Sequence, residues 1–516
     1  MLSILLISFI MVAGEPGGGK AETTLEVADL RARGYREEYP LFFTTGDEIE
    51  QAKARIERDA SLRLAYEALI EQAEQDLEAP LEPLDRAWWD EVKERSWQDT
   101  YPIIFEKTWL QPARVALPMS RLAQAYSLSG ERRFADRSRE ILLHLSDYTF
   151  EFEHYDVGMN YSVWGCRALE TYDLLFDHLS AEERTRVDAF FTRLGRAVLA
   201  NDVFWIENNI GGGINNHLAW HKMMLGMLGV FYGEGSLIEY ALHGPRGIGE
   251  LLELGLVDDG LWVEGSLNYH FTAIVPMTYL AALLRRTSDS TGDLFRQIFA
   301  DGRTLKQPFD AMFGVLFPDG TIPPIGDAYG HWANLADQSL YELAYSAYGD
   351  SRYAWLLSRR GKRDPQALFH GRSLQNRAVP QVGSRLYPEH GYVFLRSKAG
   401  EEYWDSDAWC AFLTYDRSGV HSNADKLSLM LFGQGKLLIP DVEARATVPH
   451  AFSSKVQREL NRSGLSQNTV MIDGGDQRYN PSVLTVVEFR DLPDEKRATA
   501  ADLEGRLYPN VRQQRS

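Results

Sequence analysis

The chain has 516 residues, too many for one ordinary hydrophobic core, so at least two domains are expected. Its 44% hydrophobic and 25% charged residues exclude a mostly disordered polymer. A net charge of −19 argues against nucleic acid and against an anionic membrane as partners of the surface as a whole, and an acidic polymer would need a locally basic groove.

Residues 1–14 read MLSILLISFIMVAG, an apolar run of signal-peptide length with small residues near its end and no Lys or Arg before it. It is shorter than the roughly 20 residues needed to span a bilayer. The expectation is a cleaved signal peptide, a periplasmic or secreted protein, and no membrane insertion after cleavage. No later segment reads as a span. The two cysteines, Cys166 and Cys410, exclude a disulfide scaffold and a cysteine-based zinc site.

From about Leu41 to Gly361 the pattern is helical. Gly46-Asp47-Glu48 opens a helix with acidic residues in its first turn, and Ser180-Ala181-Glu182-Glu183 has the form of a capping box. Apolar-periodic stretches on either side of Ser129-Gly130-Glu131 predict an αα-hairpin over 112–148, and similar hairpins are expected at 161–199, 217–254 and 269–302. A serial array of this kind closes into a toroid or a solenoid, here placed at 38–375. The pattern changes near Val379. Short β-rich runs follow at 392–395, 409–415, 427–432, 436–439, 469–472 and 483–489, with a hairpin turn at Gly433-Gln434-Gly435. Residues 380–516 are therefore expected to form an antiparallel β-sandwich. Five or six strands are few for a sandwich, and the chain finishes charged through Tyr508–Ser516. An incomplete sandwich, or a disordered tail, is the expectation there.

Three segments carry groups suited to chemistry: Asn215-Asn216-His217, Glu264-Gly265-Ser266-Leu267-Asn268-Tyr269-His270, and His421-Ser422-Asn423-Ala424-Asp425. Breaking a 4-linked uronate by elimination requires that its carboxylate be neutralised so that charge developing at C5 can spread into it. A base must take the C5 proton and an acid must protonate the departing O4. Asn supplies amide donors, His serves as base or carboxylate partner, and Tyr protonates O4 or, if ionised, acts as base. Asn216 and His217 open an apolar helix, whose N-terminus attracts anions. Taken singly, Asn216 reads as a helix cap, His217 as a first-turn surface residue and Tyr269 as core. Trp205, His221 and His270 are nearby aromatic or imidazole groups that read equally as substrate contacts or core. Trp88, Trp89, Trp97 and Trp109 are sugar-stacking candidates that core packing also explains.

In this order the set resembles the heparinase II/III superfamily of polysaccharide lyases, which includes several alginate lyase families. The carrying motifs are Asn-Asn-His at 215–217, Glu-Gly-Ser-x-x-Tyr at 264–269, Ile-Pro-Pro-Ile-Gly-Asp at 322–327, His-x-x-x-Asp at 421–425 and Gly-Lys-Leu-Leu-Ile-Pro-Asp at 435–441. The resemblance implies an α+β multidomain chain: an incomplete (α/α) toroid of helical hairpins, then an antiparallel β-sandwich, with the active site between them and an acidic polysaccharide as substrate. It implies that Asn216 neutralises the uronate carboxylate and that His217 neutralises it or acts as base. Tyr269 would be the acid, and also the base for one C5 stereochemistry, with His421 reaching in from the β domain. Trp205, Asn215, Glu264 and His270 are the expected substrate contacts.

Many members read His-x-His-x-Asp and His-Asn-Thr where this chain has Asn423 and Gln467. Those histidines, with an Asp matching Asp441, bind zinc in some members. Here the set is Asn423, Asp441 and Gln467, all oxygen donors, which suit a structural hard cation such as calcium, or a metal-free hydrogen-bond cluster, better than zinc. No cofactor is expected to be required for catalysis. Two other readings stand beside the lyase: a toroid glycoside hydrolase using Glu264 and Asp327 as its two carboxylates, and a non-catalytic polysaccharide-binding protein on a lyase scaffold.

Overall fold

The computed structural model describes residues 25–516 except 31–38, 42–43, 85–86, 151–155, 288–292, 330–332, 416–418, 446–449, 453 and 479–483. The expected signal peptide lies outside the described residues.

Local sequence sets the helical half. Thr45 and Glu48 cap the helix Gly46–Arg58 reciprocally, and Ser180 with Glu183 does the same for Ala181–Glu207. Helix Gln111–Ser129 ends on Gly130 in the left-handed conformation and the chain turns back into Arg132–Leu145. Further antiparallel neighbours are Val157–Leu175 with Ala181–Glu207, and Asn216–Tyr232 with Gly235–His243. The region 269–302 departs from the expected hairpin. Helix Leu267–Thr287 is described, and after it only a single 3-10 turn, Ala300–Gly302, is helical among the described residues up to that point. Residues Leu267–Arg286 are long and apolar enough to cross a membrane by composition, which corrects the expectation that no later segment is. That stretch is 67% buried against the other helices, and core packing accounts for its hydropathy.

The β half has two sheets. The first is antiparallel in the order β1 (Arg385–Tyr387), β2 (Tyr392–Arg396), β3 (Cys410–Thr414), β4 (Leu429–Gly433), β5 (Lys436–Ile439). The second is β6 (Thr485–Asp491), β7 (Lys496–Asp502), β8 (Gln513–Arg515). The expected strand at 469–472 is absent. Only an isolated bridge, Ile472 to Gly475, occurs there, because the segment spends its polar groups on loops: Thr469 Oγ1 donates to the Lys426 carbonyl and Asn468 is tied to Asp441. The end of the chain is not a tail. β7 and β8 pair, and Arg515 donates to the Leu427 and Asn468 carbonyls.

Strand alternation divides the five-stranded sheet between two cores. Tyr387, Tyr392, Phe394, Phe412, Met430 and Phe432 join the core of the helical half. Val393, Leu413 and Tyr415 face the other way and meet Leu484, Ala498, Ala500 and Leu507. The molecule is thus layered as toroid, five-stranded sheet, three-stranded sheet. Arg396, only 2% exposed, joins the first two layers: it donates to the Gly383, Gly314 and Leu316 carbonyls and stacks on Phe394 and Tyr403.

Candidate active site

The three segments converge where the β half meets the helices. Glu264 sits in the loop before helix Leu267–Thr287 and is buried. Its carboxylate accepts from Asn216 N at 2.9 Å, Asn216 Nδ2 at 3.1 Å and Trp262 Nε1 at 2.6 Å. The anion at the start of helix Asn216–Tyr232 is therefore Glu264 itself, which corrects the expectation that this terminus waits for a substrate carboxylate. It also removes Glu264 as a direct substrate contact, since its oxygens are committed inward. Burial pushes the Glu264 carboxyl upward, while His421 and the three donors pull the other way.

His421 lies between two carboxylates. Its Nδ1 donates to Asp327 Oδ2 at 2.7 Å, and its Nε2 lies 3.6 Å from Glu264 Oε1. The Tyr269 ring stacks on it with centroids 3.3 Å apart. With both ring nitrogens turned to carboxylates, His421 is a support beneath Tyr269 rather than a group presented to a ligand. Asp327 is fully buried and also accepts from Gln457 Nε2 at 2.7 Å and Arg462 Nε at 2.9 Å, with a second contact from Arg462 Nη2. Burial would raise its pKa, but the His421 hydrogen bond and the Arg462 charge prevail and hold it below the usual carboxylate range.

Tyr269 is partly exposed and its hydroxyl meets that of Tyr329 at 2.5 Å. Burial raises the Tyr269 pKa, with Asp327 and Glu264 adding to it against the opposing Tyr329 hydrogen bond and Arg462 charge. The resting phenol is therefore protonated, the state of an acid. Tyr329 holds a left-handed backbone (φ 57°) that a bulky residue rarely adopts, a strain of order 1–3 kcal/mol kept at this site.

His217 keeps about a fifth of its side chain exposed and stacks on Trp205, with centroids 4.2 Å apart and planes 17° off parallel. Desolvation, with His221, His421 and His450 nearby, drives its pKa well below the usual imidazole value, so the ring is neutral. Trp205 is buried and serves as the platform for this ring. Asn215 is the cap of the helix: its Oδ1 accepts from Leu218 N at 3.2 Å and its Nδ2 donates to the Ile210 carbonyl. His270 is corrected from substrate contact to core. It is 1% exposed, accepts from Trp262 N at 3.1 Å, and is pushed down to about 3 by burial.

The three oxygen donors each have partners within the protein. Gln467 donates to the Asn461 carbonyl, Asn423 to the Gly326 carbonyl, and Asp441 accepts from Ser428 Oγ and from Asn468 N and Nδ2. Asn423 Oδ1 and Asp441 Oδ2 remain buried without a hydrogen-bond partner. Among the described residues no three His, Cys, Asp or Glu side chains stand together as a metal site, and a hard cation requires six or more oxygens. No catalytic step is assigned to a metal.

Four close approaches join the halves. His421 N donates to the Glu264 carbonyl at 3.0 Å and Asp327 N to the His421 carbonyl at 2.8 Å. At Gly265 (φ 84°) a side chain would meet Ser422 Oγ at 2.2 Å, and at Gly326 (φ 67°) it would meet the His421 carbonyl at 2.4 Å. Only glycine allows these loops to touch.

The chain is similar to known polysaccharide lyases. Residues 112–315 match the family model described as Alginate lyase. An alginate lyase of Stenotrophomonas maltophilia is 27% identical over 387 residues, covering 67% of this chain and 49% of that protein. An exo-oligoalginate lyase of Saccharophagus degradans is 24% identical over 427 residues, covering 73% of this chain and 55% of that protein. The crystal structure of heparinase III superposes with a TM-score of 0.58 at 15% identity, over 80% of this chain and 61% of that one, and shares the fold. By these matches the chain is similar to polysaccharide lyases of the heparinase/alginate lyase superfamily. It spans about half the length of the curated relatives it matches.

At this candidate site, sequence reasoning missed Tyr329, Gln457, Arg462, Asp156, Tyr101 and His450. Tyr329 lay two residues past the Ile-Pro-Pro-Ile-Gly-Asp motif, a signal that could have found it. The others lie in segments without a motif.

Proposed function

We propose that this chain is the catalytic part of an exported polysaccharide lyase that cleaves 4-linked uronate by β-elimination, leaving an unsaturated uronate end. The observation that carries the reading is Tyr269: a protonated, partly exposed phenol stacked on His421, joined through His421 and Glu264 to the neighbours Asn216 and His217. Asn216 has two amide hydrogens, and with Nδ2 oriented by Glu264 the amide is held rigidly for a substrate carboxylate. Neutral His217 is the base for the C5 proton, and the Tyr269 hydroxyl gives its proton to O4 as the C4–O bond breaks. The phenolate left behind is stabilised by the Tyr329 hydroxyl at 2.5 Å and by the Arg462 charge.

The substrate we infer is an alginate-type polyuronate. The printed activities of both curated relatives support it, as does the net charge of −19, which disfavours a heavily sulfated chain. Neutralisation by the Asn216 amide supports a reaction that needs no cofactor, and residues 1–14 support export. Glu264 and Asp327 are each held by three or more donors and face inward, which disfavours the hydrolase.

The test is ultraviolet absorbance of the unsaturated product on polymannuronate, polyguluronate and a heparan-type chain, with Tyr269→Phe alongside. Absorbance growing on an alginate and abolished by the Phe variant is expected. Reducing ends without absorbance would instead indicate hydrolysis, and binding without either would leave a binding protein. Processing of the N-terminus in exported material tests the signal, and activity surviving dialysis against a chelator tests metal independence.

A further inference from the structure

Among the buried carboxylates that the mechanism does not use, one stands beside His217. Asp156 begins the helix Val157–Leu175 and is 9% exposed. Its Oδ1 lies 3.2 Å from His217 Nδ1. That nitrogen is sealed from solvent, while the His217 side chain as a whole is 21% exposed, so the open edge of the ring is the one carrying Nε2. The pair lacks the alignment of a full hydrogen bond, the loose geometry common before a ligand seats. Trp205 fixes the ring plane from one face. The Tyr101 hydroxyl also donates to Asp156, and Tyr101 packs edge-on against His450 from the β half.

Resting on the lyase reading above, we propose that Asp156 is a positioning residue whose carboxylate engages the inward nitrogen of His217 and so determines whether the outward nitrogen meets the uronate bare or protonated.

The proton count makes this concrete. When Asp156 is ionised it accepts Nδ1–H, and Nε2 is left bare with its lone pair toward the cleft, the form a base requires. With one more proton on the pair, Nε2 carries hydrogen whether that proton sits formally on the carboxyl or on the ring. His217 is then a donor and cannot take the C5 proton. One residue thus has the two roles that its sequence context left open, and a single proton separates them. Burial pushes the Asp156 carboxyl up to about 7, with Tyr101 opposing, which puts the exchange near neutrality. The other titratable groups facing His217 are His221 on its own helix, and His421 and His450 from the β half, all of which lower its pKa.

The experiment follows the imidazole nitrogens of His217 by 15N NMR in the full chain between about pH 5 and 9, with the signal assigned by His217→Gln, for wild type, Asp156→Asn, Asp156→Glu and Tyr101→Phe. In wild type, Nε2 should pass from protonated to bare as pH rises through about 7. The Asn variant should lose that transition, and the Glu variant should keep it. Tyr101→Phe should move it to higher pH, because a hydrogen bond to the charged form is gone. In the absorbance assay Asp156→Asn should lower kcat by about 10- to 100-fold with KM little changed, and Glu should restore part of it. An unaltered His217 titration in Asp156→Asn would overturn the proposal. Should Asp156→Asn fail to fold, an unmoved transition in Tyr101→Phe would do the same. The NMR reading needs no turnover, so a wild type that is inactive on every polymer would defeat the lyase reading and still decide the role of Asp156.

Discussion

Asn216, His217 and Tyr269 come from the helical half, and His217 and Tyr269 keep part of their surface open. The β half contributes His421, Gln457 and Arg462, whose side-chain nitrogens end on Asp327 or Glu264. One half presents groups to a ligand and the other holds them in place. The same division runs through the packing. The inward face of the five-stranded sheet is aromatic and merges with the helical core, whereas its outward face meets a small cluster containing Ala498 and Ala500. Glu264, Asp327 and His421 are deeply enclosed with their charges paired within the protein, but burial does not follow the division throughout: Asn216 is 1% exposed and the Arg462 side chain 27%.

Substitutions can break this comparison. The largest effect is expected from Tyr269→Phe, a presented group: a 10²- to 10⁴-fold fall in kcat with the melting temperature nearly unchanged, read from product absorbance and calorimetry. Asp327→Ala, a supporting group, should behave oppositely. It leaves Arg462 and His421 facing each other in a buried site and should cost about 3–5 kcal/mol in denaturant unfolding. The wild-type contribution of Asp327 also has a pH signature. Its folded pKa is depressed, so its stabilisation is present above the unfolded value of about 4 and is lost as pH falls through the folded one. Acid unfolding of wild type should therefore be steeper below about pH 4 than that of Asp327→Ala.

The two sheet faces give a finer contrast. Phe412→Ala, on the face shared with the helices, should cost about 3–5 kcal/mol, and Leu413→Ala, on the outward face, about 2–3 kcal/mol, both by thermal melts. Equal losses would show that the outer cluster is as tightly packed as the inner. The smallest change is expected from Ser180→Ala, which removes one half of a solvent-exposed capping box far from both sheets and should cost about 1 kcal/mol.

What could be read in the sequence follows how far each signal reaches. The helix start at Gly46, the Ser180–Glu183 cap and the Gly130 turn depend on three or four consecutive residues, and they are where the pattern puts them. The residues that converge on the site, Asn216, Tyr269 and His421, were legible because short motifs flag them. Their partners were not. Arg462 stands 135 residues from Asp327, and no local pattern links the two. Glu264 looked like an available acid because sequence shows a carboxylate but not the three donors already on it. β7 escaped because Lys-Arg-Ala-Thr-Ala-Ala-Asp has little of the β-branched and aromatic character of a strand, and its alanines are there for close contact between sheets.

The glycine contacts at 265 and 326 have a mechanical consequence. Two main-chain hydrogen bonds and two side-chain-free approaches fasten the halves at one small spot, beside His421. The sheet's aromatic face shared with the helical core and the Arg396 links fasten the same two halves elsewhere, so the glycine contacts add a main-chain clamp that holds Tyr269 and His421 in register.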